Sequence, residues 1–79
     1  MYKITVRVMG NPDKGQDPSR PLYGVEPRTF VMQELDDLKN AVWDWQIEND
    51  IGAGNWVDMP VYKDNDCIGL MSYNQKIKN

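Results

Sequence analysis

One segment of this chain differs from the others in the spacing of its apolar residues, and that difference limits the possible folds more than any other feature. In residues 33–49, apolar side chains recur at spacings of three and four, as along the buried face of an amphipathic helix: Leu35, Leu38, Val42 and Trp45. No second segment of the chain shows this pattern. A chain of 79 residues buries one small core, so a lone helix must bury its apolar face against a sheet.

Four other segments have the composition and alternation of strands. Residues 2–9 alternate strictly between apolar and polar side chains, and residues 28–32 read as a second short strand. Residues 57–63 and 67–73 are strand-like runs joined by Asp-Asn-Asp, which favours a hairpin. The predicted order is β-β-α-β-β. It describes an α+β fold in one domain, residues 1–79, with a small antiparallel sheet of about four strands and one amphipathic helix packed across it.

Local chemistry also predicts where some of these segments lie. Pro60 has no backbone N–H, so the 57–63 strand is expected at a sheet edge, or with its donor side facing outward. Its hairpin partner would then be the inner strand. Residues 75–79 are mostly polar and are predicted to be a frayed end.

Residues 10–27 form the longest segment without a helix or strand pattern, and they hold four of the five prolines. A stretch of this length is unusual within a compact domain. One interpretation is a loop anchored on the body by Leu22, Tyr23 and Val25, as an Ω-loop packs on its own side chains. The other is a wide hairpin connection with a short extended piece at 21–25. We favour the anchored loop.

The stretch Asn-Asp-Ile-Gly-Ala-Gly-Asn-Trp, residues 49–56, resembles a phosphate-binding turn in composition only. A phosphate loop places its glycines before a helix, where free N–H groups point at the anion, whereas these glycines follow one. The stretch is therefore interpreted as a helix end, with Asn49 or Gly52 at positive φ and Ile51 folded back onto the last turn. Trp56 could be a core residue, a lid or a contact residue, and we favour core or lid.

The residues needed for most catalytic and metal sites are missing. The chain has no histidine, which removes a member from zinc sites, Ser/His/Asp triads and Cys/His dyads. The single cysteine, Cys67, is interpreted as a small strand residue. Asp64 and Asp66 resemble the start of a calcium loop, but Gln75 stands where an EF-hand needs glutamate. We predict a non-enzymatic protein with no catalytic residue, no cofactor and no metal. A small enzyme is the remote alternative.

Charge is divided unevenly along the chain. Residues 34–66 hold nine acidic residues against two lysines, a local charge of −7, while the remaining segments hold seven basic residues against three acids, a local +4. Direct nucleic-acid binding by the helix is disfavoured, because phosphates are neutralised by Lys and Arg. An acidic helix would instead be attracted to a basic protein surface, unless its charge serves only solubility. Without a leader or a long apolar run, the expected location is cytoplasmic, and no membrane partner is predicted.

Two apolar side chains of the predicted helix lie on its polar side. Trp43 and Ile47 fall nearly opposite the apolar stripe, and their four-residue spacing stacks them on one face. Either the 10–27 loop covers them, or they form an aromatic anchor surrounded by charge, which is typical of interaction hot spots. The predicted partner-binding residues are Asp36, Asn40, Trp43, Asp44, Ile47 and Glu48.

The C-terminal half carries one resemblance to known proteins. The pattern Glu-Asn-Asp, Gly, Gly-Asn and Trp, followed by a hairpin ending in Ser-Tyr-Asn, resembles one in short proteins of phages and other mobile elements. The matching residues are Glu48, Asn49, Asp50, Gly52, Gly54, Asn55, Trp56, Ser72, Tyr73 and Asn74. Gln75 stands where that pattern has glycine. The resemblance implies a tiny, acidic protein of the host-cell cytoplasm; such proteins often bind and inhibit a host factor, anti-CRISPR proteins among them.

The expected function is therefore that of a non-enzymatic phage or mobile-element binding protein. It would inhibit a host defence or nucleic-acid-handling complex by placing its acidic helix face on the basic surface of a host protein. The alternative is a structural or assembly module, unrelated to defence, that forms a homodimer through the 57–63 strand or through the patch around Trp43.

Overall fold

The fold is a five-stranded antiparallel sheet with one helix across it. The computed structural model describes all residues, 1–79. The elements are β1 (Tyr2–Val6), β2 (Arg28–Met32), α1 (Leu35–Glu48), β3 (Met59–Lys63), β4 (Asp66–Met71) and β5 (Ile77–Lys78), with short 3₁₀ turns at Pro12–Lys14 and Ala53–Asn55. The strand order is β2-β1-β3-β4-β5, and every neighbouring pair is antiparallel. The predicted α+β class is confirmed. α1 is neither long enough nor apolar enough to cross a membrane.

The core lies between α1 and one face of the sheet. Alternation along the strands puts Ile4, Val61 and Met71 on that face, where each is fully buried. α1 contributes Leu38, Val42 and Trp45 from its apolar stripe, as its periodicity predicts, and the buried apolar residues form one cluster. Each such side chain contributes about 1.5–3 kcal/mol through burial, so the hydrophobic pattern that predicts the fold also stabilises it.

Strand β3 is not an edge strand, so the first of the two expectations for it was wrong. It pairs with β1 on one side and with β4 on the other. However, the β1–β3 ladder ends at the Ile4–Val61 pair, immediately before Pro60. Proline therefore lies where the ladder with β1 has already stopped, so its missing N–H leaves no gap in that ladder. Because β3 is paired on both sides, the 57–63 strand offers no complete free edge on which a second copy could pair.

The C-terminal tail is not frayed, which is a second correction. Ile77 and Lys78 form β5 and pair with Met71 and Leu70 of β4. The turn between the two strands is closed by a hydrogen bond from the Ser72 N–H to the Lys76 carbonyl, 2.8 Å. A two-residue strand has no recognisable alternation, so its pairing depends on this turn and could not be predicted from local sequence.

The 10–27 loop is anchored by fewer residues than expected, and it also has a feature of the alternative interpretation, a short hairpin-like pairing through the Met9–Pro21 bridge. Leu22 and Val25 are half-buried and pack against the core, and the Leu22 N–H donates to the Val8 carbonyl at 3.0 Å. Tyr23, the third predicted anchor, is 99% exposed. Gly24 beside it has φ +82°, a conformation in which the chain turns sharply between the two anchors.

Residues 49–56 end the helix, although not with the residue predicted. Asp50, rather than Asn49 or Gly52, has the positive φ of +53°. Aspartate tolerates this region because its short side chain bonds locally, and here Lys14 Nζ also donates to the Asp50 carbonyl at 3.0 Å. The predicted return of Ile51 is confirmed. Its N–H donates to the Gln46 carbonyl at 2.8 Å, and its side chain is buried.

The second half of the same stretch packs on the rest of the molecule. Gly54 lies against the Asn11 side chain so closely that a Cβ there would overlap its carboxamide. Asn55 is buried, and its side chain donates hydrogen bonds to the Met9 carbonyl, just before the 10–27 loop, and to the Gln16 side chain within it. The indole N–H of Trp56 donates to the Met71 carbonyl at 3.0 Å, and its ring packs against the core. The prediction of a core or lid role for Trp56 is confirmed.

Candidate functional site

The outward side of α1 presents all six predicted partner-binding residues to solvent. The helix buries Leu38, Val42 and Trp45 against the sheet, and with 3.6 residues per turn the opposite side must face away from it. The exposed residues on that side include Asp36, Asn40, Trp43, Asp44, Ile47 and Glu48. We call these six residues the helix face. The prediction that they share an exposed side rests on helical geometry alone, and the structure agrees with it.

Trp43 is supported by a neighbouring aromatic ring and remains accessible. Its ring centroid lies 6.3 Å from that of Tyr73, with the planes inclined at 63°, an edge-to-face arrangement. The Tyr73 hydroxyl in turn donates to the Ile51 carbonyl at 3.1 Å. Trp43 keeps 42% and Ile47 keeps 62% of its surface exposed. The aromatic neighbour of Trp43 therefore comes from the β4–β5 turn, and not from the 10–27 loop that the sequence suggested as a cover.

A small amide network holds that turn against the helix. Gln46 is buried, and its Nε2 donates to the Tyr73 carbonyl at 3.3 Å. The Nε2 of Gln75 donates to Gln46 Oε1 at 2.7 Å and to the Tyr73 carbonyl at 2.8 Å. Two of these bonds join the turn to α1 and the third lies within the turn, so Tyr73 is held beside Trp43. Preorganised aromatic anchors lose less conformational entropy on binding.

The carboxylates of the helix face have no cation partner within the molecule. The three salt bridges of the structure involve Asp17, Asp50 and Asp64, all outside α1. Glu48 also lies in the last helical turn, which contains no basic residue and where the helix dipole disfavours an anion. A cation supplied by a partner would therefore gain Coulomb energy here without displacing an existing ion pair.

The two carboxyl groups with shifted pKa values lie away from the helix face. Hydrogen bonds from the Ser19 side chain and backbone hold the pKa of Asp17 below its ordinary value. A hydrogen bond from the Met1 amine, reinforced by its charge, lowers the pKa of Asp64. Asp64 forms the β3–β4 turn at φ +55°, as the turn interpretation of this segment predicts.

Tyr73 and Gln75 are the residues of this site that the sequence did not identify. Both come from the terminal turn, and the helix residues they touch are 27 to 30 positions earlier in the chain. The one available signal was an aromatic residue at the end of the predicted 67–73 strand, and it does not indicate which side of the helix the ring would meet.

Comparison of the chain with protein-family models, with curated proteins and with solved structures finds no match. The helix face is therefore interpreted from its own geometry and charge.

Proposed function

We propose that the protein is a non-enzymatic binding protein whose helix face docks on a basic surface of a partner protein. The observation that carries this proposal is the accessible Trp43, held edge-on by Tyr73, among carboxylates that lack a cation partner. Tryptophan is enriched among the residues that dominate interface energies. Charged groups around such an anchor accelerate association and select the partner.

The partner chemistry follows from the sign of the charge. A surface rich in Lys and Arg complements Asp36, Asp44 and Glu48, and nucleic-acid-binding proteins present such surfaces. Occupying that surface would exclude the nucleic acid, so the protein would act as an inhibitor of a defence or nucleic-acid-handling complex in the cytoplasm of a host cell. The resemblance of the pattern within residues 48–74 to one in small proteins of phages and mobile elements supports this role.

The first experiment is capture of a partner from lysate by the immobilised protein, repeated with matched variants. Trp43→Ala is expected to weaken binding roughly 30-fold, equivalent to about 2 kcal/mol. Tyr23→Ala removes another exposed aromatic, away from the helix face, and should leave capture unchanged. Asp44→Lys should also weaken capture, whereas Asp13→Lys, the same reversal in the loop, should not. Equal effects of Trp43→Ala and Tyr23→Ala would refute the assigned face.

The second experiment tests the nature of the partner surface. Capture should fall steeply as salt increases, because exposed charges are screened beyond about 10 Å at 0.1 M ionic strength. The captured protein should bind duplex DNA or RNA in isolation, and the added nucleic acid should displace it from the immobilised chain. A partner that binds both at once, without competition, would contradict inhibition by surface occupancy.

A further inference from the structure

The face of the sheet opposite α1 is uncovered and partly apolar. Val31 and Leu70, on β2 and β4, are exposed. Thr5 and Thr29 lie side by side on this face, with their Oγ1 atoms 2.8 Å apart, since they alternate with the buried Val6 and Phe30. One helix covers only one face of the sheet, and the side chains of Lys3, Thr5, Thr29, Val31 and Leu70 are exposed on the other.

A groove opens on this side where β1 and β3 separate. The ladder between them stops at Ile4–Val61, and the Arg7 N–H donates to Met59 Sδ at 3.4 Å instead of to a strand carbonyl. The resulting groove has a volume of about 560 Å³, within the range of ligand-sized pockets. Its walls are largely apolar and include Met9, Val57 and Pro60. A groove of this size accepts a large apolar side chain.

The charges around the groove are opposite in sign to those of the helix face. Arg7 lines the groove, and Lys3 and Lys78 stand on the same side of the sheet, next to Val31 and Leu70 in the strand register. None of the three cations takes part in a salt bridge. The groove also has one acid, Asp58.

The helix face has the matching features in the opposite sign. Trp43 is the large exposed apolar side chain; Asp44 follows it directly in the chain, and Asp36 lies two turns before it on α1. Lys39 lies one turn before Trp43 on the helix. If the helix face of another copy lay on the groove, this lysine would be the cation available to Asp58.

We propose that the groove between β1 and β3 is a docking site for the helix face of a second copy of this chain. Trp43 of one copy enters the groove of the next, and the carboxylates beside it meet Arg7. The sheet separates the groove from α1 in each molecule, so no copy can occupy its own groove. The contact joins two different surfaces and is heterologous. Such contacts build rings or open chains instead of two-fold dimers.

This self-association goes beyond the proposed function and does not rest on it, but the two compete for the helix face. Self-association would cover the helix face, and a partner that binds this face more tightly would displace the second copy from it. A partner bound to α1 would in turn leave the groove of that copy free.

The test begins with sedimentation of the purified chain at low salt, up to about 1 mM, where contacts of about −4 kcal/mol are half-formed. The average mass should rise past that of a dimer as concentration increases. Arg7→Glu is expected to weaken association about tenfold, as reversal of an interfacial charge does. Arg20→Glu, the same change in the 10–27 loop, should not. Trp43→Ala and Ile47→Asp, which alter the other surface, should also weaken it, with far-UV circular dichroism confirming that each variant is folded.

Mixing variants tests the head-to-tail geometry. A groove variant, Arg7→Glu with Val57→Glu, keeps an intact helix face, and Trp43→Ala keeps an intact groove. Each alone should remain monomeric, while the mixture should form a 1:1 heterodimer and nothing larger. A chain that stays monomeric at about 1 mM, a native assembly that stops at a dimer, or a mixture that does not associate would each overturn the proposal. The groove variant should still capture a lysate partner through α1, so failure of self-association and failure of the proposed function are distinguishable.

Discussion

Asn55 connects the end of the helix to the start of the 10–27 loop, and its replacement by alanine tests whether this connection holds the fold together. The residue is buried. Its Nδ2 donates to the Met9 carbonyl at 2.7 Å and to Gln16 Oε1 at 3.1 Å. Its Oδ1 accepts from the Gly52 N–H at 3.0 Å. Three side-chain hydrogen bonds therefore disappear together in Asn55→Ala.

The expected loss of stability follows from these three bonds. Each contributes about 1 kcal/mol net, and a buried group left without a partner costs about 1–3 kcal/mol. The Gly52 N–H and the Met9 carbonyl would both lose their side-chain partner, whereas Gln16 Oε1 would keep the bond from the Asn11 N–H. The total is about 3–5 kcal/mol. A domain of this size has an unfolding free energy of about 4–12 kcal/mol, so the variant should be near the limit of folding.

Urea unfolding followed by far-UV circular dichroism measures this loss, because fluorescence would also respond to Trp56 beside the substitution. The midpoint of the transition should shift to a lower urea concentration, and the dependence of the unfolding free energy on urea concentration should stay the same. Exchange of the Gly52 amide hydrogen should accelerate in a variant that is still folded. Asn74→Ala, at an exposed asparagine in the β4–β5 turn, should change stability by less than about 0.5 kcal/mol. A loss below about 1 kcal/mol in Asn55→Ala would refute the reasoning, since it would mean that water replaces the amide at little cost.

Three further substitutions test other contacts. Gly54→Ala should destabilise by about 1–3 kcal/mol through overlap with Asn11, measured by urea unfolding; a neutral result would contradict the close approach. Gln75→Gly should relieve the backbone strain of the positive φ of +62° but remove the two hydrogen bonds that the Gln75 side chain makes in the β4–β5 turn. The expected net loss of stability is about 1 kcal/mol. A gain in stability would show that the strain outweighs the two bonds. Ser19→Ala should raise the pKa of Asp17 towards its ordinary value, observed by NMR titration of the carboxyl carbon. Because that pKa is lowered in the folded state, its contribution to stability is present above the unfolded-state pKa of about 3.9 and is lost as pH falls through the folded value. An unchanged titration in Ser19→Ala would exclude the hydroxyl as its main cause.

Features that depend on neighbouring residues along the chain were predicted well. The helix was expected at 33–49 and lies at Leu35–Glu48, and β2 has the predicted bounds, Arg28–Met32. Side-chain direction in a helix or strand repeats with a fixed period, so a few apolar positions determine which side is buried. The same local rule placed all six residues of the helix face on an exposed side.

Features that depend on distant residues were missed or misplaced. The position of β3 between β1 and β4 and the pairing of β5 involve strand register, which is set by contacts far apart in sequence. The identity of the positive-φ residue at the helix end was also wrong. Several residue types tolerate that conformation, and here the contact between Lys14 and Asp50 comes from the other half of the chain.

The sequence by itself thus determined an α+β fold with one amphipathic helix, and a helix face that combines Trp43 and Ile47 with carboxylates. Only the tertiary structure decided that Tyr73 supports Trp43 and that a groove beside Arg7 opens on the opposite side of the sheet. The physical reason is the range of the interactions. Helical periodicity acts over a few residues, whereas the turn that delivers Tyr73 and the separation of β1 from β3 arise from pairing between segments more than 20 residues apart.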